Sequence, residues 1–365
     1  MLAETLSDLL PSIAERDAAD PDAYPVATIR ALAEAGVIRA PLPPALGGVG
    51  ASLLDAVRAT EALAAASGSA ALIVTMPLGL AGIVATEPEA VPPEHRQRWS
   101  EQRERIAADY AAGKLYAACN SEKGAGGSLE ATRTTAVRQG DRFLLTGEKI
   151  LASSGRFADY FISTAKVIPP EDLPGCGVVE FFFVPTTAPG VEILDDWDGF
   201  GMRCTESQSV RYASAPATDF LGFPDFIKLV QPIQYWYCLF AAIPLGCVSS
   251  MLSALSSPAP ESPALRLRLA EATMRIEALR AYLHETARDW RPAAGPEYAA
   301  RVLRTKTYVT QESTKLAAEL FALGGGRHYR RGGQLARAFA DSFAGTALRP
   351  PLPLALETLV ENFGA

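Results

Sequence analysis

The chain has 365 residues, 48% of them hydrophobic and 21% charged, enough for several domains around a substantial core and for a bound small molecule. Its 34 basic and 41 acidic residues leave a net charge of −7 with no long basic run, which argues against nucleic acid as the main partner. Five cysteines (Cys119, Cys176, Cys204, Cys238, Cys247) form no C-x-x-C pair and Met1-Leu2-Ala3-Glu4-Thr5 has no cationic lead-in, so a reducing cytoplasm is expected and a signal peptide is not.

From residue 12 to about 113 the pattern is helical. Ser12, with Glu15 three residues on, has the form of a capping box, and Gly36 is placed to close a helix. The proline-then-glycine stretch 40–52 reads as a connection whose Ser52 caps the next helix. Within it, Gly47-Gly48-Val49-Gly50 lacks the preceding strand and the Lys-Ser/Thr end of a phosphate loop and reads as a turn. From about Lys114 the period shortens, with strand-like runs at 134–137, 143–146, 160–167, 178–184 and 207–212. Turns such as Gln139-Gly140-Asp141-Arg142, and the breaks Pro169-Pro170 and Pro174-Gly175, separate them. The block predicts an antiparallel β-domain of sandwich or barrel kind, and the lack of a βαβ repeat tells against a doubly wound dinucleotide fold.

Helices return after Pro216. No charge occurs from 229 to 260, and 235–255 is about long enough to span a bilayer. Pro244, Gly246, Ser249, Ser250 and Ser253 suit a helix buried in a bundle or at a subunit interface instead, so no membrane partner is expected and a homodimer or homotetramer is. The run 70–85 reads the same way. Two further helices, 265–290 and 296–323, follow; Arg266, Arg268, Glu271, Arg275, Glu277 and Arg280 mark a solvated or interface face. The predicted fold is α+β: an N-terminal helical domain (1–113), a middle antiparallel β-domain (114–216) and a C-terminal helical bundle (217–365).

Chemistry concentrates in two stretches of the β-domain. Residues 117–128 run from a strand into a glycine-rich turn, and 147–155 bring back a hydroxyl-bearing strand. Together they suit a flat, polar-edged ligand; a surface loop plus a hairpin is the alternative.

The order of helices, β-domain and helices, with these motifs in place, resembles the acyl-CoA dehydrogenase superfamily over nearly the whole chain. Ser121-Glu122-Lys123-Gly124-Ala125-Gly126-Gly127-Ser128 is similar to that family's T-E-P-x-A-G-S-D tract, and Gly147-Glu148-Lys149-Ile150-Leu151-Ala152-Ser153-Ser154 to its G-x-K-x-W-I-T-N. Gly201-Met202-Arg203-Cys204-Thr205 and Leu323-Gly324-Gly325-Gly326 add to the match. The resemblance implies a non-covalent FAD. Asn120, Ser121, Leu151, Ala152 and Ser153 would line its ring, with Ser121 and Ser153 at the polar edge where reduction places negative charge. Gly126, Gly127 and Ser128 would sit near a pyrophosphate or the ligand's own phosphates. Gly324 and Gly325 would approach the cofactor pyrophosphate of a neighbouring subunit, or serve as a helix C-cap.

The departures concern the base. Relatives that dehydrogenate acyl thioesters take the α-proton with a glutamate, whose usual position is matched here by Ala344 or by Arg349, depending on the anchor used for alignment. The alternative site, Tyr235-Trp236-Tyr237, has no carboxylate either, and the usual flavin-side indole is replaced by Leu151. The R-x-Q-F-G tract that reaches FAD across the dimer is missing. Three functions follow from the resemblance. One is an FAD-dependent dehydrogenase of an acyl thioester, carried by CoA or a carrier protein, with a non-standard base such as His328, Asp341, Glu357 or Glu122 and an electron-transfer partner. Another is a two-component monooxygenase using O2 and reduced flavin from a flavin reductase. The third is a non-catalytic relative.

Overall fold

The computed structural model describes residues 2–172, 179–224 and 226–361; Pro174-Gly175, Cys176 and Val178 lie outside them. The N-terminal helices are α1 (Leu2–Ala19), α2 (Val26–Glu34), α3 (Leu53–Ala66), α4 (Gly68–Val84) and α5 (Arg96–Ala111). The C-terminal set is α6 (Phe226–Val230), α7 (Ile233–Ser256), α8 (Pro263–Arg288), α9 (Pro296–Gly324), α10 (Gln334–Ser342), α11 (Ala344–Ala347) and α12 (Leu352–Glu361). Ser52 caps α3 as expected: its hydroxyl accepts from Asp55 N at 3.2 Å, and the Asp55 carboxylate accepts from Ser52 N at 3.1 Å. Ser12 does not start a helix. The first helix begins at Leu2, and Ser12 lies inside it with its hydroxyl donating to the Leu9 carbonyl.

Both uncharged stretches form helices buried within the chain. Every residue of α4 is buried, and α7 is enclosed by α3, α4, α8, α9 and α10. Although α7 is long and apolar enough to cross a bilayer, 78% of its most apolar window is covered by the protein. Its uncharged face is therefore satisfied intramolecularly, which removes the basis for expecting self-association through it. Two glycines bring these helices together. A Cβ at Gly79 would stand 2.0 Å from Trp236 Nε1, and one at Gly82 would stand 2.0 Å from Tyr235 Cζ, so only glycine lets the α7 rings seat on α4.

Between the helical parts lie β1 (Tyr116–Cys119), β2 (Thr135–Gln139), β3 (Arg142–Ala152), β4 (Tyr160–Val167), β5 (Val179–Pro185), β6 (Val191–Ile193), β7 (Gln208–Ala217) and β8 (Asp219–Phe220). They form one sheet in the order β6-β7-β3-β2-β4-β5-β8, with β1 also on β4. The sheet is mixed where the sequence suggested antiparallel throughout, because β1 and β2 both run parallel to β4. Such pairings join segments far apart in the chain, which no local pattern encodes. Side chains alternate across the sheet. Phe181 and Phe183 of β5 join the helical core, whereas Phe182 and Val184 join a second cluster with Phe161, Val210 and Tyr212.

Candidate functional site

A cavity of about 330 Å3 lies where the helix-facing side of the sheet meets α4, α7, α10 and α11. Ala118 and Asn120 come from the end of β1, Leu151 and Ser153 from the end of β3, Trp236 and Tyr237 from α7, and Arg349 from the loop after α11. The two sequence stretches singled out above are joined directly: Ile150 N donates to the Ser121 carbonyl at 2.8 Å.

A bulge decides which residues of β3 face the cavity. The β3–β7 register slips between Lys149 and Ala152, and Leu151 takes φ 60, a region that costs an ordinary residue about 1–3 kcal/mol. Leu151 is thereby turned out and left 49% exposed, while Ala152 returns to the second core cluster. Ala152, expected against the ligand, is thus a core residue. Ser153 faces the cavity again and heads a chain of hydroxyls: Ser153 Oγ to Ser207 Oγ at 3.0 Å, Ser207 Oγ to Thr205 Oγ1 at 2.6 Å, and Thr205 Oγ1 to the Met202 carbonyl at 2.8 Å. A hydroxyl has one proton. Because the last acceptor is a carbonyl, Thr205 donates to it, Ser207 donates to Thr205 and Ser153 donates to Ser207. Ser153 therefore presents lone pairs to the cavity.

The rest of the lining is mostly apolar. Trp197 and Trp236 spend their indole N–H groups on the Arg203 and Met76 carbonyls, at 3.0 and 3.2 Å, so they offer ring faces only. Tyr237 has its phenol pushed up to about 12 by burial, partly offset by nearby Arg349. Among the described lining residues, Arg349 is the only charged one. Its Nη2 donates to the Asn120 carbonyl at 3.2 Å, its Nη1 is buried without a partner among the described residues, and burial holds its pKa below the usual guanidinium value. Ala344 lines the same cavity, so both matches to the usual glutamate position reach the site and neither is a carboxylate.

Other residues named from the sequence lie elsewhere. Glu122 is structural: it accepts from Lys149 Nζ at 2.6 Å, Arg133 N at 2.6 Å, and Thr134 N and Oγ1 at 3.1 and 2.7 Å. Burial raises its pKa, but these partners outweigh that and hold it below the usual range. Asp341 accepts from Met202 N at 2.6 Å behind the cavity wall, and burial, with Asp17 nearby, pushes it up to about 7. His328 lies beyond α9, its Nε2 accepting from Arg327 at 2.9 Å, and Glu357 is exposed on α12. Neither lines the cavity. Gly126 and Ser128 do not line it either, and Gly127 receives a neighbouring loop: a Cβ there would stand 2.3 Å from Pro351 Cδ. Gly324 ends α9 against Leu335, and Gly325 follows with φ 69, both away from this chain's cavity. Sequence reasoning gave no site role to Ser207, Trp197 or Lys306, and took Thr205 only as part of a matching tract. Lys306 donates to the carbonyls of Leu348 and Pro350 on either side of Arg349, at 2.8 and 2.7 Å, and its lysine within a helical run gave no signal of this.

Comparison with known proteins matches three family models in order: the acyl-CoA dehydrogenase N-terminal domain at residues 3–113, the middle domain at 117–214 and the C-terminal domain at 252–348. A probable acyl-CoA dehydrogenase YngJ of Bacillus subtilis is 22% identical over 334 residues, 87% of this chain and 84% of its own. L-evernosamine nitrososynthase of a Micromonospora species is 30% identical over 219 residues, 58% of this chain and 49% of its own. The solved structure of KijD3 in complex with FMN and dTDP-3-amino-2,3,6-trideoxy-4-keto-3-methyl-D-glucose shares the fold with a TM-score of 0.86 at 23% identity, covering 99% of this chain and 92% of that one. With all three models matched along most of its length, the chain belongs to the acyl-CoA dehydrogenase superfamily.

Proposed function

We propose that the protein is a flavin-dependent monooxygenase that takes reduced flavin from a separate reductase and uses O2 to oxidise a small organic substrate. The observation that carries this reading is the charge of the cavity: its described lining has no carboxylate, and its one charged side chain is Arg349. Removing an α-proton from a thioester needs a base within reach, and a guanidinium is not one. His328, Glu357, Asp341 and Glu122 are all outside the lining, which disfavours acyl-thioester dehydrogenation.

The residues present fit a flavin ring. Leu151 and the faces of Trp197 and Trp236 offer apolar contact, and Asn120, Ser121 and Ser153 offer a polar edge. Reduction adds N–H groups to the ring, and the lone pairs of Ser153 suit those hydrogens, whereas the negative charge expected at the polar edge needs donors that the Ser153 hydroxyl does not supply. Reduced flavin, when bound, would supply the electrons and activate O2. The protein's part would be to orient the ring and exclude water from around it. The nitrososynthase relative and the FMN bound to KijD3 support a flavin cofactor and a substrate other than a thioester.

Anaerobic protein loaded with reduced FMN or FAD and mixed with O2 in a stopped-flow spectrometer tests the reading. The expected result is a transient spectrum that is neither oxidised nor reduced flavin. Oxidation at the free-solution rate, or bleaching of bound oxidised flavin by an acyl-CoA, would overturn it.

A further inference from the structure

We propose that Arg349 anchors an oxyanion, namely a carboxylate carried by the substrate, at one end of this apolar cavity. The inference rests on the functional reading above only in calling the bound acid a substrate. An isolated guanidinium is costly to bury, and native structures rarely leave one of its nitrogens unpaired. Here Nη1 is buried without a partner among the described residues while Nη2 is fixed on the Asn120 carbonyl, so the group is held in place with donors to spare. The flanking backbone is clamped as well. Lys306, itself buried, spends its ammonium on the carbonyls just before and just after Arg349 instead of on a carboxylate. No carboxylate of the described lining competes for the guanidinium, and the planar fork matches a carboxylate in two-point contact.

A cofactor phosphate offers the same chemistry, but the location favours the substrate. Arg349 is bonded to the residue preceding Ser121, beside the polar groups suited to a ring edge, and a ribityl chain carries the phosphate well away from that edge. Tyr237, close enough to Arg349 to feel its charge, and the adjacent Leu348 also line the cavity, which suits an apolar or aromatic body.

The test uses benzoate and benzamide as probes, titrated calorimetrically into the full-length protein without flavin. The wild type is expected to prefer the acid by about tenfold or more, the range of a charge-assisted pair. Arg349→Gln abolishes the preference, Arg349→Lys keeps part of it, and Lys306→Met reduces it. FMN and riboflavin affinities are measured on the same variants and are expected to stay within about threefold of wild type. Equal binding of acid and amide by the wild type, or a preference that survives in Arg349→Gln, overturns the proposal. So does a loss of FMN affinity without loss of riboflavin affinity, which would assign the anion to the cofactor. Failure to take up flavin at all would sink the monooxygenase reading and leave the acid preference standing.

Discussion

Lys149 and Arg349 are both cations withdrawn from water near the exit of β1, and the fold treats them in opposite ways. Lys149 is fully buried, and its ammonium meets Glu122 at 2.6 Å and Thr164 at 3.1 Å, while Glu122 is satisfied by three further donors. Arg349 reaches one backbone carbonyl and leaves Nη1 unpaired at a cavity wall. A closed network holds the glycine-rich turn to β3 and contributes rigidity. An open donor beside a cavity holds free energy in reserve for a ligand. The difference separates a cation whose partners are all within the fold from one with a donor still free, without reference to any relative.

Breaking the closed side should have the largest effect. Glu122→Gln or Lys149→Met leaves its partner buried with an uncompensated charge, and a loss of about 3–5 kcal/mol in denaturant-induced unfolding is expected. A loss below about 1 kcal/mol would show that the pair is not closed as described.

Lys306 lies between the two cases, hydrogen-bonded but without a counter-charge among the described residues, and burial brings its pKa down to about 7. An unfolded lysine titrates near about 10.4. Between those values the unfolded chain binds the proton that the native state has released, so stability should rise with pH at up to about 1.4 kcal/mol per unit. Lys306→Met should flatten that part of the stability profile.

On the open side, Arg349→Met removes a buried charge at the expense of one hydrogen bond. The ligand-free protein should unfold within about 1 kcal/mol of wild type, in contrast to Lys149→Met. Equal destabilisation by the two substitutions would erase the distinction. The hydroxyl chain acts on cofactor preference instead of on stability. Ser207→Ala frees the Ser153 proton, so the preference for reduced over oxidised flavin should fall by about three- to tenfold, read as the ratio of the two dissociation constants.

Several elements were legible because their signals are local. Ser52 with Asp55, the uncharged run that became α7, and the strand-like run 160–167 each carry their own period or cap. Ser12 with Glu15 has the same local form as a cap, yet α1 began ten residues earlier, since a capping pattern also fits the exposed side of a helix. Leu151 and Ser153, singled out by motif, line the cavity, whereas Ala152 does not, because the bulge that reverses its direction depends on pairing with β7.

Composition, periodicity and motif order were enough to mark the helical and β-rich regions and to point to the superfamily that the family models match, since each is written in contiguous residues. Only tertiary structure decided that Asn120, Leu151, Trp236 and Arg349 share one cavity, that Gly127 packs under Pro351, and that one guanidinium nitrogen is left unpaired. Whether a buried polar atom is satisfied depends on groups that meet across hundreds of residues of chain. That meeting is a property of the packed fold and is absent from any single stretch.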